Sequence, residues 1–223
     1  MAVLGGLRAA GSSAVSGRAV GDSLGGVNGE SWSFGNGGAM RSPVVGLFFY
    51  PRRDRVGTAA RLAAEVTHAH PLGIEGAELI AEATAAALDG VDGRAFFERA
   101  ACSASSPEYS SRFELARSWL DAGKPITPKE VRAKLGMGII APESCVTALY
   151  LAARFVDQPF EALLAFAAAA GGDVDTVGAM AGALWGARNG LARLPLRACA
   201  NVEDAARVSE VAAQLYARSH ALG

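Results

Sequence analysis

Gly171-Gly172-Asp173-Val174-Asp175-Thr176-Val177-Gly178-Ala179-Met180-Ala181-Gly182-Ala183-Leu184-Trp185-Gly186-Ala187-Arg188-Asn189-Gly190 decides how this chain is read. A double glycine ends the helix before it. Two carboxylates and a hydroxyl follow within four positions, and then a run of small apolar residues without period-two alternation, which reads as a helix. Gly178, Gly182, Gly186 and Gly190 recur at four-residue steps and share one face. Each costs about 1 kcal/mol against alanine in a helix, so the repeat predicts close approach of another backbone or of a bulky ligand.

Helical punctuation continues on either side. Phe160 to Ala170, after Asp157-Gln158-Pro159, reads as one helix stopped by Gly171-Gly172. Thr127-Pro128-Lys129-Glu130 combines a threonine cap, proline at the first helical position and a glutamate to close a capping box. A helix from about Glu143 turns Val146, Leu149, Tyr150 and Ala153 inward, and Asn201 is expected to cap a last amphipathic helix through Val208, Val211, Ala212 and Leu215. Ala60, Ala63, Ala64 and Thr67 share a face, and Ile74, Ala77, Ile80, Ala81 and Ala85 recur at helical steps. Only Val44 to Tyr50 has the apolar density of a short buried strand, and its length does not separate it from a buried helical turn. The expected fold is all-α: a Gly/Ser/Ala-rich arm over 1–30, then one compact multi-helix domain over 31–223.

Composition narrows the function classes. The 223 residues are 51% hydrophobic and 19% charged with a formal net charge of −1, which is globular and gives no electrostatic reason to expect nucleic acid. The longest charge-free stretches, such as Thr176 to Ala187, fall well short of the ~20 residues of a membrane span. Met1 to Arg18 lacks the sustained apolar core of a secretory signal, so a cytoplasmic location is expected. Cys102, Cys145 and Cys199 are far apart without a Cys-x-x-Cys pair, and read as small core residues in a reducing compartment.

Four patterns carry candidate chemistry. Asp173, Asp175 and Thr176 offer only oxygen, which suits hard cations such as Mg²⁺ or Ca²⁺; the bland alternative is helix capping. A cap needs one such residue, and a second carboxylate two positions on adds repulsion that a cation relieves. Ser31-Trp32-Ser33-Phe34-Gly35-Asn36-Gly37-Gly38-Ala39-Met40-Arg41 brings many backbone N–H groups within reach of a phosphate, with Phe34 or Trp32 free to stack on a base or ribose, unless it is an ordinary turn. Thr67-His68-Ala69-His70 holds two of the three histidines; their two-residue spacing argues against a shared metal, and His68 reads as a donor to a ligand or as a cap. Gly21-Asp22-Ser23-Leu24-Gly25 spells a nucleophile elbow with Ser23, but lacks the preceding strand, so a serine esterase is a remote alternative. Arg52, Arg53 and Arg55 read as a solvated basic turn.

In order, these stretches resemble the ADP-ribosylglycohydrolase family of all-α, Mg²⁺-dependent hydrolases. Ser33 to Arg41 resembles its glycine-asparagine loop, and Thr67-His68 with Gly76-Ala77 the helix after it. Gly138-Ile139, Glu143-Ser144 and Thr147-Ala148 are similar to a family helix entry, and Gly171 to Gly190 to its second metal motif and glycine-lined helix. Met137 stands where asparagine is common, and Val174 where threonine is. The likeness runs from about Ser31 to Pro195, closest to the branch of serine-ADP-ribose and poly-ADP-ribose hydrolases.

The resemblance implies that Asp173, Asp175 and Thr176 are metal ligands, with Asp175 also carrying catalysis. It implies that Ser33, Phe34, Gly35 and Asn36 line the diphosphate and adenosine, and that His68 contacts the ligand. The implied cofactor is Mg²⁺, two ions in the family, and the implied partner is ADP-ribose or an ADP-ribosylated protein. Family members also carry a threonine-aspartate-aspartate motif and a loop glutamate ahead of the glycine-asparagine loop. This chain has no adjacent aspartates, and its only acids before the loop are Asp22 and Glu30. The expectation is therefore an N-terminally shortened domain whose metal site is incomplete and whose activity is impaired, or alternatively a non-catalytic ADP-ribose binder or a truncated gene product.

Overall fold

A computed structural model describes residues 33 to 221 apart from Lys124. In chain order the helices are α1 (Gly37–Arg41), α2 (Pro43–Phe48), α3 (Val56–Glu65), α4 (Pro71–Ala87), α5 (Gly93–Ser103), α6 (Pro107–Ala122), α7 (Pro128–Lys134), α8 (Ala141–Arg154), α9 (Phe160–Ala170), α10 (Val174–Asn189), α11 (Leu196–Ala200) and α12 (Ala205–Ala221). The fold is all-α, as expected. Among the described residues the one β-bridge pairs Gly35 with Ile140, and no helix is long and apolar enough to cross a membrane.

α4 is the axis. Pro71 opens it, and the His70 ring caps it by accepting the Leu72 N–H at 3.2 Å. Its sequence is apolar nearly all round, so burial on every side is the stable outcome. The short helices α1 and α2, with α3, pack on one side, and α5, α8 and α10 on the other. Large side chains fill the space between them, and the polar atoms among these are satisfied: Tyr109 donates to Leu72 O at 2.7 Å and Trp185 to Phe155 O at 3.0 Å. Buried Glu75 accepts from the backbone N–H groups of Ser105 (2.6 Å) and Ser106 (3.0 Å) and from both hydroxyls, fastening α4 to the start of α6.

Several boundaries follow the sequence closely. α9 spans Phe160–Ala170, and α7 begins with the capping box of Thr127 and Glu130. α8 starts two residues before Glu143, at Ala141, with Pro142 in its first turn.

Other expectations are corrected. Val44 to Tyr50, whose length leaves strand and helical turn both open, is helical over most of its length and not a strand: Pro43 starts α2, which lies across α4 with Gly46 in contact. Thr67 lies beyond the end of α3 and is exposed. Asn201 ends α11, and α12 begins at Ala205 with Val208 and Val211 exposed at 40% and 46%. That helix meets α2 through Ser219, whose hydroxyl donates to Phe48 O at 2.6 Å, so its central face stays open. Along α10, Gly182 admits the Phe160 ring, whereas Gly186 and Gly190 face open space. The glycine face thus receives a side chain over part of its length and no second backbone. Cys145 is buried, Cys199 half-buried and Cys102 exposed, so only the first is a core residue. Arg53 lies over the Tyr50 ring and pairs with Asp89, and Arg52 lies over Phe48 and Phe49, so the basic turn is anchored as well as solvated. Asp22, Ser23, Glu30 and Trp32, and the division at residue 30, lie outside the described residues.

Gly76 marks the tightest contact of α4. A Cβ there would sit 2.4 Å from Tyr109 Oη and 2.9 Å from Cys145 Sγ. Gly76→Ala should cost about 1–3 kcal/mol by overpacking, read by urea unfolding, and the Gly76→Ala/Tyr109→Phe double variant should cost less than the two single changes added together.

Candidate functional site

Gly136 to Ile140 runs between α7 and α8 as an extended connector. Gly136 adopts φ +94°, which lets the chain fold over the Glu143 side chain. Glu143 accepts the Gly138 N–H at 3.1 Å, and the Thr147 hydroxyl donates to Gly136 O at 2.7 Å. The connector is thereby pinned from within α8, and it receives chain on both edges. The Asn36 N–H donates to Ile139 O at 2.8 Å, and the Ala141 N–H to Phe34 O at 3.0 Å. On the other edge, the Asp173 N–H donates to Met137 O at 2.7 Å. Gly172 makes that approach possible: at φ +86°, a Cβ would lie 2.3 Å from Met137 O.

A third bond closes the ring, because Asn36 Nδ2 donates to Asp173 Oδ2 at 2.6 Å. Asp173 stands at the N-cap position of α10, yet its side chain caps no backbone N–H. Its carboxylate is turned toward Asn36 and toward Asp175 two residues on. Burial pushes the Asp173 carboxyl above the usual range, and the neighbouring Asp175 adds to the rise against the opposing bonds from Asn36 and Thr176. Asp175 is exposed and goes the other way, held down chiefly by a hydrogen bond from Asp173. Two carboxylates this close repel when both are ionised, and a proton shared between them relieves that repulsion. A hard cation supplies the same relief, and Asp173, Asp175 and the buried Thr176 hydroxyl are the oxygen donors that fit one. Among the described residues, no group of three or more His, Cys, Asp or Glu side chains assembles around a metal position.

The glycine loop stands on the other side of Asn36. Phe34 is only 7% exposed and its ring packs 5.1 Å from that of His70, so the loop offers a ligand its backbone there and no stacking face. The Ser33 hydroxyl accepts the Gly35 N–H at 3.3 Å. His68 lies over this loop: a Cβ on Gly37 would come within 2.9 Å of His68 Nε2, and one on Gly35 within 3.7 Å. Burial, reinforced by the Arg41 charge, keeps His68 below its ordinary value and hence neutral near pH 7.

A cavity of about 780 Å³ adjoins the acidic turn, lined in part by Arg112, Arg132, Gly138, Glu143, Asp173 and Asp175. The structure therefore joins Asn36 directly to Asp173 and places His68 on the loop that carries Asn36. Sequence reasoning misses the connector braces Glu143 and Thr147 as a unit, although the close pairing of glycines 136 and 138 with an acid in the next helix is a usable signal.

The ADP-ribosylglycohydrolase family model matches residues 6–222. The ADP-ribosylhydrolase ARH3 proteins of Mus musculus and Homo sapiens are each 34% identical over 191 residues, covering 73% of this chain and 51% and 52% of those proteins. The Danio rerio ARH3 is 31% identical over 213 residues, covering 82% and 57%. A solved ADP-ribosylglycohydrolase-related protein complex superposes with a TM-score of 0.68 at 30% identity, covering 83% of this chain and 61% of that one. The chain thus spans about half the length of these ARH3 relatives.

Asp173→Asn should raise the thermal stability of the metal-free chain near neutral pH, because it removes a half-buried charge and keeps an acceptor for Asn36. A carboxyl raised in the folded state costs stability above its folded value and nothing below its unfolded one. The stability gap should therefore narrow as pH falls toward about 4, read as melting temperature against pH.

Proposed function

The chain belongs to the ADP-ribosylglycohydrolase family, in its ARH3-like branch, and from that premise we propose that it binds ADP-ribose and hydrolyses the N- or O-glycosidic bond to an acceptor such as a modified protein. The observation that carries the reading is the placement of Asp173: a residue at a cap position whose side chain caps no backbone N–H and turns its carboxylate to Asn36 and Asp175. Capping accounts for neither contact. A cation site beside a ligand loop accounts for both.

In this reading Asp173, Asp175 and Thr176 hold Mg²⁺, which when bound polarises the ribose and favours an attacking water. The chain's own residues do the rest. The loop at Ser33 to Gly35 receives the diphosphate, with Phe34 contributing its main chain. Asn36 orients Asp173 by a charge-assisted bond, worth about 1.5–3 kcal/mol. Asp175, exposed and ionised, is the acid we assign to catalysis, and His68 contacts the ligand from above the loop.

Among the described residues the site offers two carboxylates, which is few for holding Mg²⁺, since ligand charge sets affinity for hard cations. We propose weak Mg²⁺ binding and slow hydrolysis for this chain, and the same charge count favours a second reading in which it binds ADP-ribose without turning it over.

Calorimetry with ADP-ribose in Mg²⁺ should show saturable binding, weakened about tenfold or more, near 1.4 kcal/mol, in Asp175→Asn. A folded chain that shows no saturable heat would contradict both readings. Mg²⁺-dependent release of ADP-ribose from modified protein at enzymatic rates of ~1–10³ s⁻¹, lost in Asp175→Asn, would overturn the proposed impairment.

A further inference from the structure

Arg41 ends α1 and reaches across to the end of α3. Its Nη1 donates to Gly37 O at 3.1 Å, and its Nη2 to Ala63 O at 3.0 Å, where the last carbonyls of α3 lack helical partners. The same Nη2 also donates to the Thr67 hydroxyl oxygen. Next along the chain, Thr67 Oγ1 lies 2.7 Å from His68 Nδ1.

Proton bookkeeping constrains this chain of bonds. A guanidinium has only donors, so Thr67 must accept from Arg41 and turns its own proton away. The 2.7 Å contact then admits two directions, the Thr67 proton to His68 Nδ1 or an Nδ1–H to the second lone pair of Thr67; the first uses the proton that Arg41 turns away, and the second leaves it to solvent. In the first arrangement Nδ1 carries a lone pair, and in the neutral ring the proton sits on Nε2. Nε2 is the nitrogen that faces Gly35 and Gly37. We infer that Arg41 and Thr67 are positioning residues, which lock His68 as a neutral Nε2–H donor aimed over the glycine loop and so make the site select a ligand that presents an acceptor oxygen there. Burial and the Arg41 charge both disfavour the imidazolium, which agrees with a neutral donor.

The direction matters for recognition. A diphosphate or ribose oxygen accepts from Nε2–H, whereas a ligand amine or amide N–H at the same place meets a second donor and is rejected. That ligand consequence rests on the ADP-ribose reading above, whereas the tautomer does not.

Long-range ¹H–¹⁵N correlation spectra of the ¹⁵N-labelled full chain test it, and three histidines make assignment tractable. The expected wild-type result is His68 Nδ1 at the unprotonated and Nε2 at the protonated position, without added ligand. Thr67→Val should move both nitrogens toward the averaged position, Thr67→Ser should restore the wild-type pattern, and Arg41→Lys, which keeps a donor, should move them less than Thr67→Val. A wild-type ring protonated on Nδ1 would overturn the inference, and so would a folded Thr67→Val chain with an unchanged pattern. If Thr67→Val does not fold, the wild-type and Thr67→Ser spectra decide alone. Adding ADP-ribose should then shift Nε2. The predicted tautomer without that shift would count against the ligand reading and leave the locked donor standing.

Discussion

The connector from Gly136 to Ile140 is the element on which the candidate site depends. Its carbonyls at 137 and 139 accept the N–H groups of Asp173 and Asn36, and the Asn36 side chain then bonds the Asp173 carboxylate. Residues separated by 137 positions are thus held by three bonds that share two residues. Such a ring is cooperative in a simple sense: with two bonds made, little conformational freedom remains to be lost in making the third. Glu143 and Thr147 hold the connector from α8, so the clasp is referred to the core and not to a mobile surface.

Electrostatics at the acidic turn follow from that arrangement. The bond to Met137 and the positive φ of Gly172 bring Asp173 inward, where losing water raises its carboxyl; Asp175, one helical step along, stays in solvent and stays low. Two acids with environments that push them apart are characteristic of a site kept ready for a proton or a cation. The helix N-terminus of α10 adds a favourable field for negative charge, but that alone would hold either acid as a simple cap, and Asp173 is not used as one.

Much of this was legible along the chain wherever the determining interactions are local. The limits of α9 follow from Pro159 and Gly171, and the start of α7 from Thr127 and Glu130. Asp173, Asp175 and Thr176 stand out because three oxygen donors on one turn exceed what capping requires. Reading fails where the partner is distant in sequence. Val44 to Tyr50 has too few residues to separate a strand period from a helical one, and Pro43 with the crossing at Gly46 settles it as helix. Val208 and Val211 have an amphipathic spacing, but nothing among the described residues covers them. The Arg41 to Thr67 to His68 chain spans the meeting of α1 and α3, which no periodicity encodes, and Phe34 loses its stacking role to the ring of His70, the cap of α4.

Asn36 joins the glycine loop to the acidic turn, and linkage between ADP-ribose and Mg²⁺ measures whether that bond couples the two proposed sites. ADP-ribose affinity should be determined with and without saturating Mg²⁺, in the wild-type chain and in Asn36→Ala. Binding should be tighter with Mg²⁺ in the wild type, on the order of 5–150-fold, and most of that factor should be lost in Asn36→Ala. An ADP-ribose affinity that is the same with and without Mg²⁺ in the wild type, or a coupling unchanged by Asn36→Ala, would contradict this role of Asn36.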